Sequence, residues 1–332
     1  MKDRRRGGVS FLSPAQKAGV VPFIILMSEQ FKEKKATKNN LAVPAADYFT
    51  DRIIASLGTG SLYLDASNIP SPINGNHPIL AIAANASAKG LNLIPAISLA
   101  SPAGYSQAVH TIVQAQGRGI ALRIDLNEFS SAASWIGGWN YPLSETDLIV
   151  DLQDSVGTVA SLGSTVQHTF SNLHQGATWR SVTIAGTSMP PNFAAINQGL
   201  HLITRSEYSL WFNLQAVVPY RLDFGDYTTP PIVEPPSGMT YGFPINVRYT
   251  LASEFLICKG VRTRGINSVM QDVQLTGHAN SIINYVNRGR ISGCWADDEI
   301  DQIGAGKSPQ TLAHWVKIGV NRHVVLTRQV IP

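Results

Sequence analysis

Eight short runs rich in valine, isoleucine and leucine recur through the first 227 residues, and their spacing restricts the fold more than any other feature of the chain. They are VPFIILM (21–27), LYLDA (62–66), NLIPAIS (92–98), IALRIDL (120–126), DLIVDLQ (147–153), RSVTIAG (180–186), HLITRS (201–206) and YRLDFGD (220–226). Each has the length and composition of a buried strand. Their starts lie roughly 20 to 40 residues apart, and several of the gaps can be helical, among them NHPILAIAANASAKG (76–90) and PAGYSQAVHTIVQAQGRG (102–119). In the second, Tyr105, Ala108, Val109, Ile112 and Val113 share one helical face. Ser101 and Pro102 read as the start of that helix, Gly117 and Gly119 as its end. Strand and crossover, repeated eight times, predict an α/β chain forming a (β/α)8 TIM-like barrel over residues 11–227, because each parallel strand needs a covering helix and closure removes both sheet edges. An open doubly wound sheet is the rival. It would show fewer strands or a glycine-rich first turn, and SEQFKEKK (28–35) after the first strand has no glycine. Only 14 residues, 187–200, separate the sixth and seventh runs, so the barrel is expected to be irregular on that side.

From Thr228 the pattern changes. TTPPIVEPPSGM (228–239) is too rich in proline for a central strand or a helix interior. INVRYT (245–250) and EFLICKG (254–260) predict an antiparallel pair, SPQTLAHWVKIG (308–319) a capped helix and RHVVLTRQVI (322–331) a final strand. The expected organisation is a basic flexible leader (1–10), the barrel, a Pro-rich linker or loop (228–240), and an α+β extension (241–332) packed on the barrel.

The 26 Lys and Arg against 22 Asp and Glu give a net charge of +4, too small a bias to argue a nucleic-acid partner. The excess sits in MKDRRR (1–6) and KEKKATK (32–38), which read either as a handle for an acidic surface or as solvated segments. Cys258 and Cys294 are too few and too far apart for a disulfide framework or a metal knuckle, so a reducing, cytoplasmic setting is expected. No continuous apolar stretch follows MKDRRR, which argues against a signal peptide. GVVPFIILM (19–27) falls short of the roughly 20 residues that a membrane helix needs.

The runs WRSVTIAGTSMPPNF (179–193), HLITRSEYSLW (201–211) and YRLDFGDY (220–227) resemble the beta protein family of phage and bacterial proteins. IPAISLASPAGYSQAV (94–109), TGHAN (276–280) and HWVKIGVNRHVVLTRQ (314–329) agree, and the similarity runs from about Phe11 to the C-terminus. The resemblance implies a setting in phage genomes, prophages and bacterial islands, some near defence genes. It brings no reaction and no catalytic residue with it. The last motif departs from the family's paired histidines: Asn321 and Arg322 precede a single His323.

The charges on the strands are the most informative feature for function. Side chains alternate with period two, so Arg123 and Asp125 oppose Leu122, Ile124 and Leu126. Asp151 and Gln153 likewise oppose Leu148, Val150 and Leu152. Arg221 and Asp223 oppose Leu222 and Phe224, and Tyr63 and Asp65 oppose Leu62 and Leu64. With the leucines against outer helices, the charged faces point into the barrel near its C-terminal mouth, where barrel sites are built. Buried carboxylates at Asp65, Asp125, Asp151 and Asp223 need partners, protons or a cation, and Arg123, Arg205 and Arg221 can supply the partners.

Two readings follow. In one, the charges form a structural ion network. In the other, they line a pocket for a small anionic, phosphorylated ligand, with Asp125, Asp151, Asp223 or Glu207 as acid or base. Ligand contacts in that pocket would come from Asp65, Arg123, Arg205, Arg221 and Asp226. The turn AGTSMPP (185–191) offers Gly186, Thr187 and Ser188 as anion donors or as local turn residues. In FGDYTTPP, Gly225 permits close backbone approach, and Asp226 either caps the strand end or faces a ligand.

No cofactor is expected unless the carboxylates converge into an all-oxygen Mg²⁺ site. Zinc is not expected, because His201, His278, His314 and His323 lack ligand spacing with Cys or carboxylate. GAGKS (304–308) follows no buried strand and lacks the first glycine of a P-loop, and no G-x-S-x-G elbow is present. Arg262, Arg264, Arg288 and Arg290 lack the interleaved aromatics of a nucleic-acid surface. The sequence thus supports a ligand-binding or enzymatic barrel mouth, or else a non-catalytic protein-interaction module in phage and host conflict.

Overall fold

Seven of the eight expected strands enter one parallel sheet in chain order: β1 (Phe23–Ile25), β2 (Ser61–Asp65), β3 (Asn92–Ile97), β4 (Ile120–Ile124), β5 (Thr146–Asp151), β6 (Ser181–Gly186) and β8 (Leu222–Asp226). The computed structural model describes residues 7–36, 41–69, 75–161, 163–173, 178–229 and 244–331. Residues 1–6 of the leader and most of the Pro-rich segment lie outside these.

Every crossover advances in the same direction, so right-handed connections put the helices on one face. They are α1 (Ala45–Leu57), α2 (Ile79–Ala88), α3 (Ala103–Gln116), α4 (Leu126–Ser130), α5 (Val156–Ser161), α6 (Ser164–Ser171) and α7 (Ser206–Gln215). Leu62, Leu64, Leu122, Ile124, Leu148, Val150 and Ile184 meet Ile53, Ile82, Val109, Phe170 and Leu214 there, forming the main core. The stripe expected on α3 is buried, and the helix ends at Gly117 in the left-handed conformation, φ 61°. Tyr105 on that stripe donates to Ala96 O at 2.7 Å and accepts from Ala66 N at 3.0 Å, tying the ends of β2 and β3 together. On the concave face, Ile94, Ala96, Ala121 and Ile149 cluster with Phe23, Tyr63 and Ala185.

The sheet does not close, which corrects the expectation of a (β/α)8 TIM barrel. It is an open half-barrel: β1 and β8 are its two edges and do not pair with each other. The missing strand, β7 (Gly199–Thr204), leaves for a second sheet of order β7-β10-β9, where it runs antiparallel to β10 (Glu254–Arg262), beside β9 (Pro244–Thr250). The cause lies in the short connection. Residues 187–198, with Pro190 and Pro191, form turns and no helix, so nothing returns the chain to start a parallel neighbour of β6. Helix α7 supplies that return after β7, and β8 takes the free edge of β6.

Helices α8 (Gln271–Ile283), α9 (Trp295–Gly304) and α10 (Leu312–Val330) pack with the second sheet around Val247, Leu256, Cys258, Leu275, Ile300 and Ile318. Val9 and Leu12 join this core, Asn321 Nδ2 donates to Gly8 O at 3.3 Å, and Phe11 stacks on Trp295 with centroids 3.9 Å apart. The run RHVVLTRQVI is helical, not a final strand. Its β-branched residues favour a strand locally, but Val320, Val324, Val325 and Leu326 continue the buried stripe begun by Trp315 and Ile318, and tertiary burial overrides propensity. Among the described residues, no helix is long and apolar enough to cross a membrane.

Candidate functional site

Period-two alternation brings Arg123 and Asp151 together on the concave face of adjacent strands. Arg123 Nε donates to Asp151 Oδ2 at 2.7 Å, and the same oxygen accepts the Tyr227 hydroxyl at 2.5 Å. The other carboxylate oxygen accepts Gln153 N at 3.0 Å. Burial opposes the Arg123 charge, but the adjacent Asp151 outweighs it and holds the guanidinium above its ordinary pKa. Burial and then Asp151 raise the Tyr227 phenol, so it remains a donor. The guanidinium lines a cleft of about 180 Å³ at the carboxyl ends of β3 to β5, with Ser98, Asp125, Glu128, Asp151 and Gln153 around it. Gln153 adopts φ 50°, a strained conformation for a residue with a side chain, and its carbonyl accepts Thr187 N at 2.7 Å. Asp125 caps α4 in a reciprocal box: its carboxylate accepts Glu128 N at 2.8 Å, and Glu128 accepts Asp125 N at 2.9 Å.

A second cluster is buried where the carboxyl end of β8 meets α10, β9 and α7. Asp226 Oδ2 lies 2.5 Å from His323 Nε2 and 3.8 Å from Arg205 Nη2, while Thr228 N donates to Oδ1 at 2.8 Å. Burial would raise Asp226, but His323, then Arg205 and Thr228 N, outweigh it and hold the carboxyl below its usual range. Arg205 is fully buried and donates to Ala252 O at 3.2 Å and Thr327 Oγ1 at 3.0 Å. Glu207 accepts both Ser188 N, at 3.0 Å, and Ser188 Oγ, at 2.6 Å. Its second oxygen and Arg205 Nε stand 3.6 Å apart with no hydrogen-bond partner. Burial raises the Glu207 pKa, and Ser188 only tempers that. The carboxylate calls for a proton on His323 Nε2, and Nδ1 of the same ring lies 3.1 Å from Thr250 Oγ1. Thr250 is completely buried, and the Asp–His–Thr line clamps β8 of the first sheet to α10 and β9 of the second.

The remaining candidates do not join either cluster as ligand groups. Asp65 is buried at the end of β2 and accepts Ser67 N at 2.9 Å, three strands from Asp151. Arg221 and Asp223 pair with each other at 3.0 Å before and within β8, with Arg221 82% exposed, because β8 is an edge strand. The AGTS turn has no donor cradle: Thr187 N goes to Gln153 O, Ser188 N and Oγ go to Glu207, and Thr187 Oγ1 accepts Met189 N. Gly186 is required for packing, since a Cβ there would lie 2.3 Å from Val156 Cγ2. Among the described residues, no group of three or more His, Cys, Asp or Glu side chains is placed to hold a metal ion.

Sequence reasoning left out Ser98, Glu128, Gln153 and Tyr227 as site residues. Gln153 and Tyr227 carried a signal, since Gln153 lies two residues beyond Asp151 and Tyr227 four beyond Asp223 on the same alternation. It also left out Asp147, which is buried on the concave face at the opposite end of the sheet. There Asp147 accepts Arg180 Nε at 2.8 Å and Ser181 Oγ at 2.8 Å.

No curated protein and no solved structure matches the chain. A model of the family described as Beta protein matches residues 2–330, spanning both sheets, the cleft and the clamp. The chain belongs to the Beta protein family.

Proposed function

We propose that the cleft at the carboxyl ends of β3 to β5 binds a small ligand carrying one anionic group, phosphoryl or carboxylate, beside hydroxyl donors. The observation that carries this reading is the fixed guanidinium of Arg123. Its Nε is committed to Asp151, which is itself held by Tyr227 and Gln153 N, and the oriented side chain lines the cleft. An oriented guanidinium suits bidentate recognition of an oxyanion. A simple anion would meet Asp125 and Glu128 as well. Their capping box uses one oxygen of each carboxylate and leaves the other to accept from ligand hydroxyls. The strained backbone of Gln153 on the cleft wall fits a position shaped for binding. A cleft of about 180 Å³ accommodates a compact polar molecule and not a macromolecule.

The test uses ribose 5-phosphate, ribose and inorganic phosphate as probes in calorimetric titration of the full chain. Ribose 5-phosphate should bind more tightly than either fragment. Arg123→Gln should weaken it by about ten- to a hundredfold, the worth of a charged hydrogen bond. Equal affinities in wild type and variant, or no binding of any probe, would overturn the assignment.

A further inference from the structure

Among the described residues, strand β7 is an edge whose outer side is unpaired. Arg205 N donates to Ser253 O at 2.9 Å, and antiparallel pairs alternate, so the backbone groups of Ile203 and His201 also face β10. Those of Leu200, Leu202 and Thr204 face outward. Leu200 and Leu202 share the face of their partners Cys258 and Leu256, yet they are each 46% exposed because the helices on that face lie over β9 and β10. β7 has no lysine, proline or bulge, the usual guards of an edge. At its Thr204 end opens a cavity of about 140 Å³ between α5, α6 and α7, lined by Ala160, Gln167, Thr204, Ser209, Leu210 and Asn213.

We propose that the β7 edge and this cavity bind an extended, uncharged peptide segment of a partner protein, which adds as a fourth strand and places one uncharged side chain in the cavity. Main-chain hydrogen bonds to Leu200, Leu202 and Thr204 supply affinity, and the cavity supplies specificity. Charge selects the occupant. Neither the edge nor the cavity lining carries an acidic or basic side chain, and His201 is turned to Asn197 O at 2.8 Å, so a charged segment would be desolvated without a counter-charge. Area argues against a second copy. Two-fold pairing about His201 would set Leu200 against its partner's Leu202 and leave the cavity empty. Two half-exposed leucines are a small part of the roughly 800 Å² per partner that a stable interface between folded surfaces buries.

The test pans the full chain against a displayed library of random twelve-residue peptides, then measures the selected peptides by fluorescence anisotropy. The bound peptides should be uncharged over a central stretch of about five residues. Leu202→Lys, at the edge, and Ser209→Phe, in the cavity, should each weaken them at least tenfold while melting cooperatively. Because these residues lie on different elements, misfolding of one variant leaves the other as a test. Three results would overturn the proposal: no selected peptide, peptides indifferent to both variants, or a wild-type dimer in sedimentation that Leu202→Lys converts to monomer.

Discussion

Asp226→Asn keeps the shape of the inter-sheet clamp and removes its charge. The substitution takes the carboxylate away from His323 at 2.5 Å and from the fully buried Arg205 at 3.8 Å. Removing one member of a buried pair costs about 3–5 kcal/mol. Arg205 keeps Glu207 at 3.6 Å and its bonds to Ala252 and Thr327, so the lower end, about 3 kcal/mol, is expected. With about 2.1 cal/mol/K of unfolding entropy per residue, 332 residues give about 0.7 kcal/mol/K, and the melting temperature should fall by about 4 °C. Circular dichroism melts and urea titrations at pH 7 measure both quantities. The pH dependence has a definite sign. A carboxyl whose pKa is depressed by folding stabilises the native state above its unfolded value of about 3.9, and that contribution is lost as pH falls through the depressed native value. The gap between wild type and variant should therefore close as the solution is acidified below about pH 4. Asp223→Asn is the control: its partner Arg221 is largely exposed, so under about 1 kcal/mol is expected. An Asp226→Asn cost below 1 kcal/mol, or a gap that persists unchanged at pH 3, would refute the clamp.

Tyr227→Phe deletes the hydroxyl that holds Asp151 and should cost about 1 kcal/mol in urea unfolding, while weakening probe binding through the loosened Arg123. Gly186→Ala forces a Cβ against Val156 and toward Gln153 O, and should destabilise the fold by about 1–3 kcal/mol in the same assay. Asp297→Asn strips the counter-charge from the buried Arg322, 2.8 Å away, and should cost about 3 kcal/mol or more by thermal melt.

Strand positions and their inward faces were legible because alternation is a local property, and Arg123 and Asp151 meet as their pattern requires. The same pattern in Arg221 and Asp223 led elsewhere, because a residue's face does not reveal whether its strand is central or at an edge. Closure failed at β7, whose leucine and isoleucine content matches that of the parallel strands. What sets it apart is the helix-free connection 187–198 and a pairing with β10 some fifty residues later, neither of which a window of sequence contains. The clamp was illegible for the same reason: Asp226 and His323 are 97 positions apart, and Arg205 and Thr327 are 122 apart. In α10, valines read as strand-formers are buried helical residues because β9 and α9 pack against them in the core of the second sheet.

The claim on which the functional account turns is that Arg123 is held ready for an oxyanion. A crystal of the full chain soaked with ribose 5-phosphate tests it directly. Phosphoryl oxygens should lie within about 3 Å of the Arg123 Nη atoms and ribose hydroxyls on Asp125 or Glu128, with the Arg123–Asp151 bond unchanged. Density for the probe elsewhere, or an Arg123 side chain that abandons Asp151 to reach it, would rule out a guanidinium preset for an oxyanion.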